Sequence, residues 1–207
     1  MSKLRVLIVE DEPLIAENIS MYLDNADFEV SGIAYDSTEA NEQLQNNTPD
    51  AAILDVNLES EEDGIDIAKR INQQYQIPFL FLTSYSDKET LQRAKAVNPS
   101  GYIVKPFNEK TLLASLEIAI SNHAAAINKK MPALNLQKIN RHLLSTLSER
   151  EFEIVQLIYE GITNNQVAEK LFVSVNTVKT HLKNIYLKLD ANSRYGVIVC
   201  LRQLMMK

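Results

Sequence analysis

The chain has 207 residues, 45% hydrophobic and 23% charged, enough for one or two domains with sizeable cores. No apolar run approaches the roughly 20 residues of a bilayer-spanning helix, and the one cysteine, Cys200, excludes an internal disulfide. The net charge of −6 conceals a split, with −12 over residues 1–125 and +6 over 126–207, which suggests two tasks, the second on nucleic acid.

Met1-Ser2-Lys3 leads without signal-peptide anatomy into Leu-Arg-Val-Leu-Ile-Val (4–9), a buried strand ended by Glu10-Asp11-Glu12. With the cysteine usage, this start predicts a cytoplasmic protein with no membrane attachment. Pro13 suits a first helical turn, and Leu14, Ile15, Ile19, Tyr22 and Leu23 supply an apolar stripe. A second strand is expected around Glu29 to Ala34, then a helix from about Ser37, its candidate cap, to Asn47. Pro49-Asp50 precedes a third strand at 51–54. The polar loop Glu59-Ser60-Glu61-Glu62-Asp63-Gly64 leads into Ile65, Ile67, Ala68 and Ile71 at helical spacing. Pro78 to Leu82 is a fourth strand closed by Thr83-Ser84, and Asp87 is placed to cap a helix running to about Val97. Asn98-Pro99-Ser100-Gly101 turns into the strand Tyr102-Ile103-Val104, closed by Lys105-Pro106, and Asn108 caps a last long helix. Five apolar strands alternating with five helices predict a doubly wound parallel α/β sheet.

Asp55, where the third strand runs out, is by itself as much a turn residue as a site. Lys105 or Thr83 alone reads as a surface residue, and Glu10, Asp11 and Glu12 alone as a solvated helix start. Together they read differently, because all the strand ends of such a sheet lie on one edge, where ligands collect. Three carboxylates brought close repel unless a hard divalent cation joins them, and oxygen donors on a partly hydrated site suit Mg²⁺. A cation, an ammonium and a hydroxyl around one carboxylate suit phosphoryl transfer, with Asp55 as nucleophile.

Val-Glu-Asp-Glu (9–12), Leu-Asp-Val-Asn-Leu (54–58), Asp-Gly (63–64), Leu-Thr-Ser (82–84) and Val-Lys-Pro-Phe (104–107) form an ordered set. By this set, residues 4–125 resemble the receiver domain of bacterial two-component response regulators, a flavodoxin-like fold. The resemblance implies that Asp55 accepts phosphate from a sensor histidine kinase. It also implies that Asp11, Asp55 and the backbone carbonyl of Asn57 bind Mg²⁺ directly, with Glu10 acting through water. Thr83 and Lys105 then hold the phosphoryl oxygens, and Tyr102 matches an aromatic that changes rotamer on activation. Tyr85 falls where the family tunes phosphate lifetime. Two departures stand out. Asn57-Leu58-Glu59-Ser60 lacks the Met-Pro many receivers carry, and the spacing from Asp55 to Gly64 is one residue longer than the commonest form.

After Ala124-Ala125-Ala126, Asn128-Lys129-Lys130-Met131-Pro132 breaks the helix, and residues 126–145 read as a linker in which Leu134, Leu136 and Ile139 form a short packed piece. Ser148-Glu149-Arg150-Glu151 and Thr163-Asn164-Asn165-Gln166 are capping boxes opening two helices. Ser174 caps a third helix, with Val178, Leu182, Ile185 and Leu189 on one face and Asn176, Lys179, Thr180 and Lys183 on the other. Ser193 starts a fourth, whose Val197, Ile198, Leu201 and Leu204 serve either core or interface. Two short helices joined by a tight turn, the second polar and basic outside, are a helix-turn-helix candidate, although Lys179 by itself reads as solvated.

Residues 146–204 resemble the DNA-binding domain of the LuxR/NarL/FixJ group, through Leu147-Ser148-Glu149-Arg150-Glu151, Gly161-Ile162-Thr163-Asn164, Val167-Ala168 and Val173-Ser174 to Thr177-Val178-Lys179-Thr180-His181. The resemblance implies a recognition helix at about 175–189, with Lys179, Thr180 and Lys183 at base edges of promoter DNA. Asn164, Asn165, Asn176, Thr177 and Arg194 are the candidates for backbone contacts, which position without specifying. It also implies a homodimer on DNA through the fourth helix, whereas His181, beside the apolar stripe, reads as structural. The expectation is a receiver at 1–125, a linker at 126–145 and an all-α helix-turn-helix domain at 146–207. Such a protein is a phosphorylation-controlled transcription factor that catalyses only its own phosphorylation and dephosphorylation. Two alternatives stay open on residues alone. One is a haloacid-dehalogenase-type phosphatase, against which Asn57 stands where that chemistry has a second acid. The other is an interaction module that never meets DNA, against which the basic second half stands.

Overall fold

The computed structural model of the chain describes residues 3–24, 27–84, 88–128 and 133–206. The expectations for Tyr85, Asp87 and the Lys129-Lys130-Met131-Pro132 break lie outside the described residues. The chain divides into two compact units, Leu4–Ile120 and one that contains Ser121–Lys207.

In the first unit the strands are β1 (Leu4–Val9), β2 (Phe28–Ala34), β3 (Ala51–Asp55), β4 (Phe79–Thr83) and β5 (Gly101–Val104). They form one parallel sheet in the order β2-β1-β3-β4-β5. Helices α1 (Pro13–Leu23), α2 (Ser37–Asn46), α3 (Gly64–Arg70), α4 (Lys88–Ala96) and α5 (Glu109–Asn128) alternate with them. Parallel pairing demands such crossovers, and covering both faces makes the inner strands near-continuous apolar runs. All five residues of β3 are buried, whereas β2 and β5, at the sheet edges, are mostly half-buried or exposed. On one face Val6, Ile8, Ile53, Leu80, Leu82 and Ile103 pack with Ala16, Ile19 and Leu23 of α1 and with Leu112 and Leu116 of α5. Each such aliphatic side chain removed from water contributes about 1.5–3 kcal/mol.

Local chemistry departs from the expectation in two places. Asp36, not Ser37, caps α2, its carboxylate accepting the Glu39 N–H at 2.9 Å, while Ser37 is the first helical residue. The helix after Gly64 does not end as one α-helix: α3 passes into a π-helical turn over Ile71–Tyr75, closed by Gln76 in the left-handed region (φ 52). The expected Asn108 cap is present, its side chain accepting the Thr111 N–H at 2.9 Å.

The second unit contains α6 (Leu136–Asn140), α7 (Glu149–Tyr159), α8 (Asn164–Leu171), α9 (Val175–Lys188) and α10 (Arg194–Met206). Both capping boxes are complete, Ser148 with Glu151 and Thr163 with Gln166, and Ser174 caps α9 through the Thr177 N–H. Val155, Ile158, Val167, Val178, Leu182 and Leu201 are buried in one core. Val197 and Leu201 are fully buried and Leu204 nearly so, and Ile198 packs partly against the same core, so this stripe of α10 is core in the single chain. The stretch read as linker supplies a helix of its own: Ile139 is fully buried in that core, and Leu134 and Leu136 pack against it. Among the described residues, no helix is long and apolar enough to cross a membrane.

Candidate functional site

The sheet register builds the site. Val9 lies beside Leu54, Asp55 beside Leu82, and Thr83 beside Val104, so Glu10, Asp55, Thr83 and Lys105 all stand at one edge. There Glu10, Asp11 and Asp55 each offer a carboxylate oxygen, and these atoms all lie within 4.8 Å of one another. Glu10 is fully buried and Asp55 nearly so, while Asp11 is half-buried.

Lys105 holds the cluster together. Its Nζ lies 2.5 Å from Asp55 Oδ2 and donates to Glu10 Oε1 at 2.8 Å, with Glu12 at 3.9 Å. Burial pushes the Glu10 carboxyl up to about 7, and the charge of Asp55 adds to it, although the Lys105 hydrogen bond works in the opposite direction. Burial works against the Lys105 ammonium, but its hydrogen bonds to Asp55 and Glu10 outweigh burial and raise its pKa. Glu10 Oε2, also buried, lies 2.8 Å from the same ammonium. The oxygen-only donor set of three carboxylates within 4.8 Å of one another fits Mg²⁺.

The loop after β3 closes over Asp55 through its backbone. The Asn57 N–H donates to Asp55 Oδ1 at 3.0 Å, and the Glu59 N–H to Asp11 Oδ2 at 3.0 Å. Gly64 donates its N–H to the Val56 carbonyl at 3.3 Å, and a Cβ on it would meet the Asp55 carbonyl oxygen at 1.8 Å, so only glycine fits. The Glu59 backbone contact was not legible in the sequence, because loop main-chain hydrogen bonds leave no residue-type signal.

Two other residues named from the sequence stand apart from the carboxylates. The Thr83 hydroxyl donates to the Ser84 carbonyl at 3.2 Å. Tyr102 is 37% exposed, its ring 5.9 Å from that of Phe81. Between them a small cavity is lined by Val56, Thr83, Thr90, Leu91, Ala94 and Tyr102.

In the second unit, α9 presents Asn176, Thr177, Thr180 and Lys183 as exposed and Lys179 and His181 as half-buried. The Thr180 hydroxyl donates to the Asn176 carbonyl at 3.0 Å. Asn165, at the start of α8, is half-buried. Two of the expected backbone contacts are buried in the chain without DNA. Arg194 is only 5% exposed, its guanidinium donating to the carbonyls of Ile158 (3.3 Å) and Ile162, where α7 ends. Asn164 is 1% exposed. Both serve the interior as the chain stands, and a helical position alone could not reveal which way either side chain turns.

Sequence reasoning saw Glu151 as a cap but missed its second partner. Lys188 Nζ, at the end of α9, lies 2.7 Å from Glu151 Oε2 and donates to the Thr146 carbonyl at 2.9 Å. Burial by itself would raise the Glu151 carboxyl, but Lys188 and the Ser148 groups outweigh it and hold the carboxyl below its usual range. Arg150 Nη2 donates to the Leu171 carbonyl at 2.9 Å, tying α7 to the turn before α9, where Phe172 takes a left-handed conformation (φ 53).

Comparison with known proteins agrees with this geometry. The family described as "Response regulator receiver domain" matches residues 6–117, and "Bacterial regulatory proteins, luxR family" matches residues 145–201. The "Oxygen regulatory protein NreC" of Staphylococcus haemolyticus is 32% identical over 202 residues, covering 92% of this chain and 93% of that protein. The "Transcriptional regulatory protein LiaR" of Bacillus subtilis is 29% identical over 198 residues, with the same coverage. The crystal structure of full-length FixJ from B. japonicum aligns over 100% of both chains with a TM-score of 0.54 and 22% identity, a likeness of fold. A small-molecule phosphatase and a module indifferent to DNA are thus not the families that match. The chain belongs to the response regulators, joining a receiver domain to a LuxR-type helix-turn-helix DNA-binding domain, and it regulates transcription.

Proposed function

We propose that Asp55 accepts a phosphoryl group from a phosphohistidine of a sensor kinase, and that the charge so added controls promoter binding by α9. The observation that carries this reading is the Lys105 ammonium 2.5 Å from Asp55 Oδ2 inside a cluster of three carboxylates. A carboxylate oxygen of Asp55 attacks phosphorus, the P–N bond to the donor imidazole breaks, and the leaving nitrogen takes up a proton. Lys105 neutralises charge that builds on the equatorial oxygens, and the Asn57 N–H keeps the carboxylate oriented. Asp11, Asp55 and the Asn57 carbonyl would hold Mg²⁺, with Glu10 as an outer carboxylate, and the ion would supply charge neutralisation. The same pocket hydrolyses its own acyl phosphate, and Tyr85, two residues past Thr83 in the sequence, sets the lifetime. No other catalysis is proposed.

After transfer the Thr83 hydroxyl leaves the Ser84 carbonyl for a phosphoryl oxygen. Tyr102 turns into the space Thr83 vacates, where the small cavity already lies. This is a shift between two packed arrangements driven by a local charge. It favours a homodimer, whose two-fold axis then dictates a two-fold-related operator. On DNA, Lys179, Thr180 and Lys183 read base edges, while Asn165, Asn176 and Thr177 contact the backbone. Arg194 and Asn164, the other two candidates for the backbone, are buried in the chain without DNA. We place the receiver over residues 1–125 and the DNA-binding domain over 146–207, with the stretch at 126–145 lending α6 to the second core, and the protein acts in the cytoplasm.

The test is an Asp55→Asn chain treated with a small phosphodonor and titrated with duplexes selected from a random pool. Wild type is expected to gain the phosphoryl mass and bind more tightly, and the variant to do neither. A variant that responded as wild type does would sink the assignment.

A further inference from the structure

Asp63 stands between the acceptor and helix α4. Its Oδ1 caps α3 by accepting the Ile65 and Asp66 N–H groups at 2.9 and 3.0 Å, and its Oδ2 receives Arg93 Nη2 of α4 at 2.7 Å. The next residue, Gly64, presses on the Asp55 carbonyl. A chain of two residues therefore joins the acceptor's own main chain to a side chain of α4.

Helix α4 is held lightly otherwise. It buries only Ala94, and its far end is tied where Asn72 Nδ2 donates to the Val97 carbonyl at 2.6 Å. Under its middle, Thr90, Leu91 and Ala94 border the cavity shared with Thr83 and Tyr102. A helix with one buried residue and a void beneath it has two arrangements within reach, and a directional ion pair one turn before its C-terminal tie biases between them. Among the described residues, the other charged groups around Arg93 are Asp66, already paired with Lys69 at 2.7 Å, and Glu89 on α4 itself.

We propose that the Arg93–Asp63 ion pair is a latch that keeps α4 seated over the strand-end site in the unphosphorylated chain, and that movement of α4 parts it. The proposal rests on the reading of Asp55 as phosphoacceptor. Because the side chains of Arg93 and Asp63 are 44% and 25% exposed, the pair is screened by salt, and its effect is modest.

Arg93→Gln and Asp63→Asn in the full chain test it. The Asp63→Asn side chain keeps the carbonyl oxygen that caps α3 and loses only the charge, so the two variants share loss of the pair and nothing else. Hydrogen exchange of the amides over Lys88–Ala96 is followed with and without phosphoramidate, alongside intact mass and thermal melting. Without phosphodonor, both variants are expected to exchange about two- to fivefold faster in α4 than wild type, the range an exposed ion pair supports. Exchange in β3 stays unchanged, and Arg93→Lys falls between. Affinity of the unphosphorylated variants for selected duplex rises by a similar factor. Normal phosphate uptake with wild-type α4 exchange in both variants overturns the latch alone. No phosphoryl mass on wild type overturns the acceptor assignment and, with it, the latch's function.

Discussion

Gly64 lies so close to Asp55 that a Cβ at position 64 would meet the Asp55 carbonyl oxygen at 1.8 Å and the carbonyl carbon at 2.8 Å. The contact is with main chain, which cannot swing aside as a flexible side chain does. The loop that closes the site is thus seated by the absence of an atom.

Gly64→Ala forces that loop away from the end of β3. Overpacking of this kind costs about 1–3 kcal/mol, so urea midpoints fall. Phosphoryl uptake from a small donor, read by intact mass, falls further, because the Asn57 N–H loses its aim at Asp55. Unchanged uptake in a destabilised variant would mean that the loop does not orient the acceptor.

Glu10 makes stability pH-dependent. Its carboxyl titrates near 4.5 in an unfolded chain and at about 7 when buried in the fold. Between those values the folded state binds a proton that the unfolded state has lost. The contribution of Glu10 is therefore full below about pH 4.5 and is lost as pH rises through about 7, by on the order of 3 kcal/mol at most. Glu10→Gln flattens the profile in that window. Mg²⁺ stabilises wild type more above pH 7 than at pH 5, since proton and ion compete for one cluster. Urea melts across pH, with and without Mg²⁺, measure both effects.

Lys183 and Arg194 separate a DNA contact from a structural arginine. Lys183→Ala lowers duplex affinity and, where it neutralises a phosphate, reduces the salt slope by about one. Arg194→Ala instead lowers the melting temperature of the second unit, because the Ile162 carbonyl loses the guanidinium and the Ile158 carbonyl keeps only the Gly161 N–H. Its salt slope at a temperature where it is folded stays at the wild-type value.

Glu151→Ala removes both the cap on Ser148 and the partner of Lys188. Losing the cap alone costs about 1 kcal/mol, and leaving a mostly buried ammonium unpaired adds to it, so about 2–3 kcal/mol is expected in denaturant titrations. Because the folded carboxyl is held below its usual 4.5, this stability is present above pH 4.5 and lost as pH falls through the lowered value. In the variant that acid-side loss is absent.

The parallel sheet and its edge of functional side chains were legible because the strands write themselves as apolar runs that stop at polar residues. Leu54 to Asp55 and Val104 to Lys105 are such stops, and the capping boxes at Ser148 and Thr163 were equally readable. Side-chain direction was not legible. Arg194 follows Ser193 at the start of a helix, where an exposed basic residue is the ordinary expectation, yet it turns in to satisfy the end of α7. Asp36 and Ser37 are both good caps, and only the backbone decides between them, Asp36 being extended (φ −148). The Arg93–Asp63 and Lys188–Glu151 pairs span 30 and 37 residues, and such pairings are properties of the folded chain.

Asn140, at the end of α6, grips Leu147 by both main-chain groups: its Nδ2 donates to the Leu147 carbonyl at 3.0 Å and its Oδ1 accepts the Leu147 N–H at 2.8 Å. The side chain thereby mimics one rung of a β-ladder and fixes the chain just before the Ser148 cap. A fragment cut to begin at residue 146 would lose this clasp together with Ile139, exposing the floor of its core while retaining every residue proposed to face DNA. Expressed alone, the DNA-binding half should be trimmed no closer than residue 133.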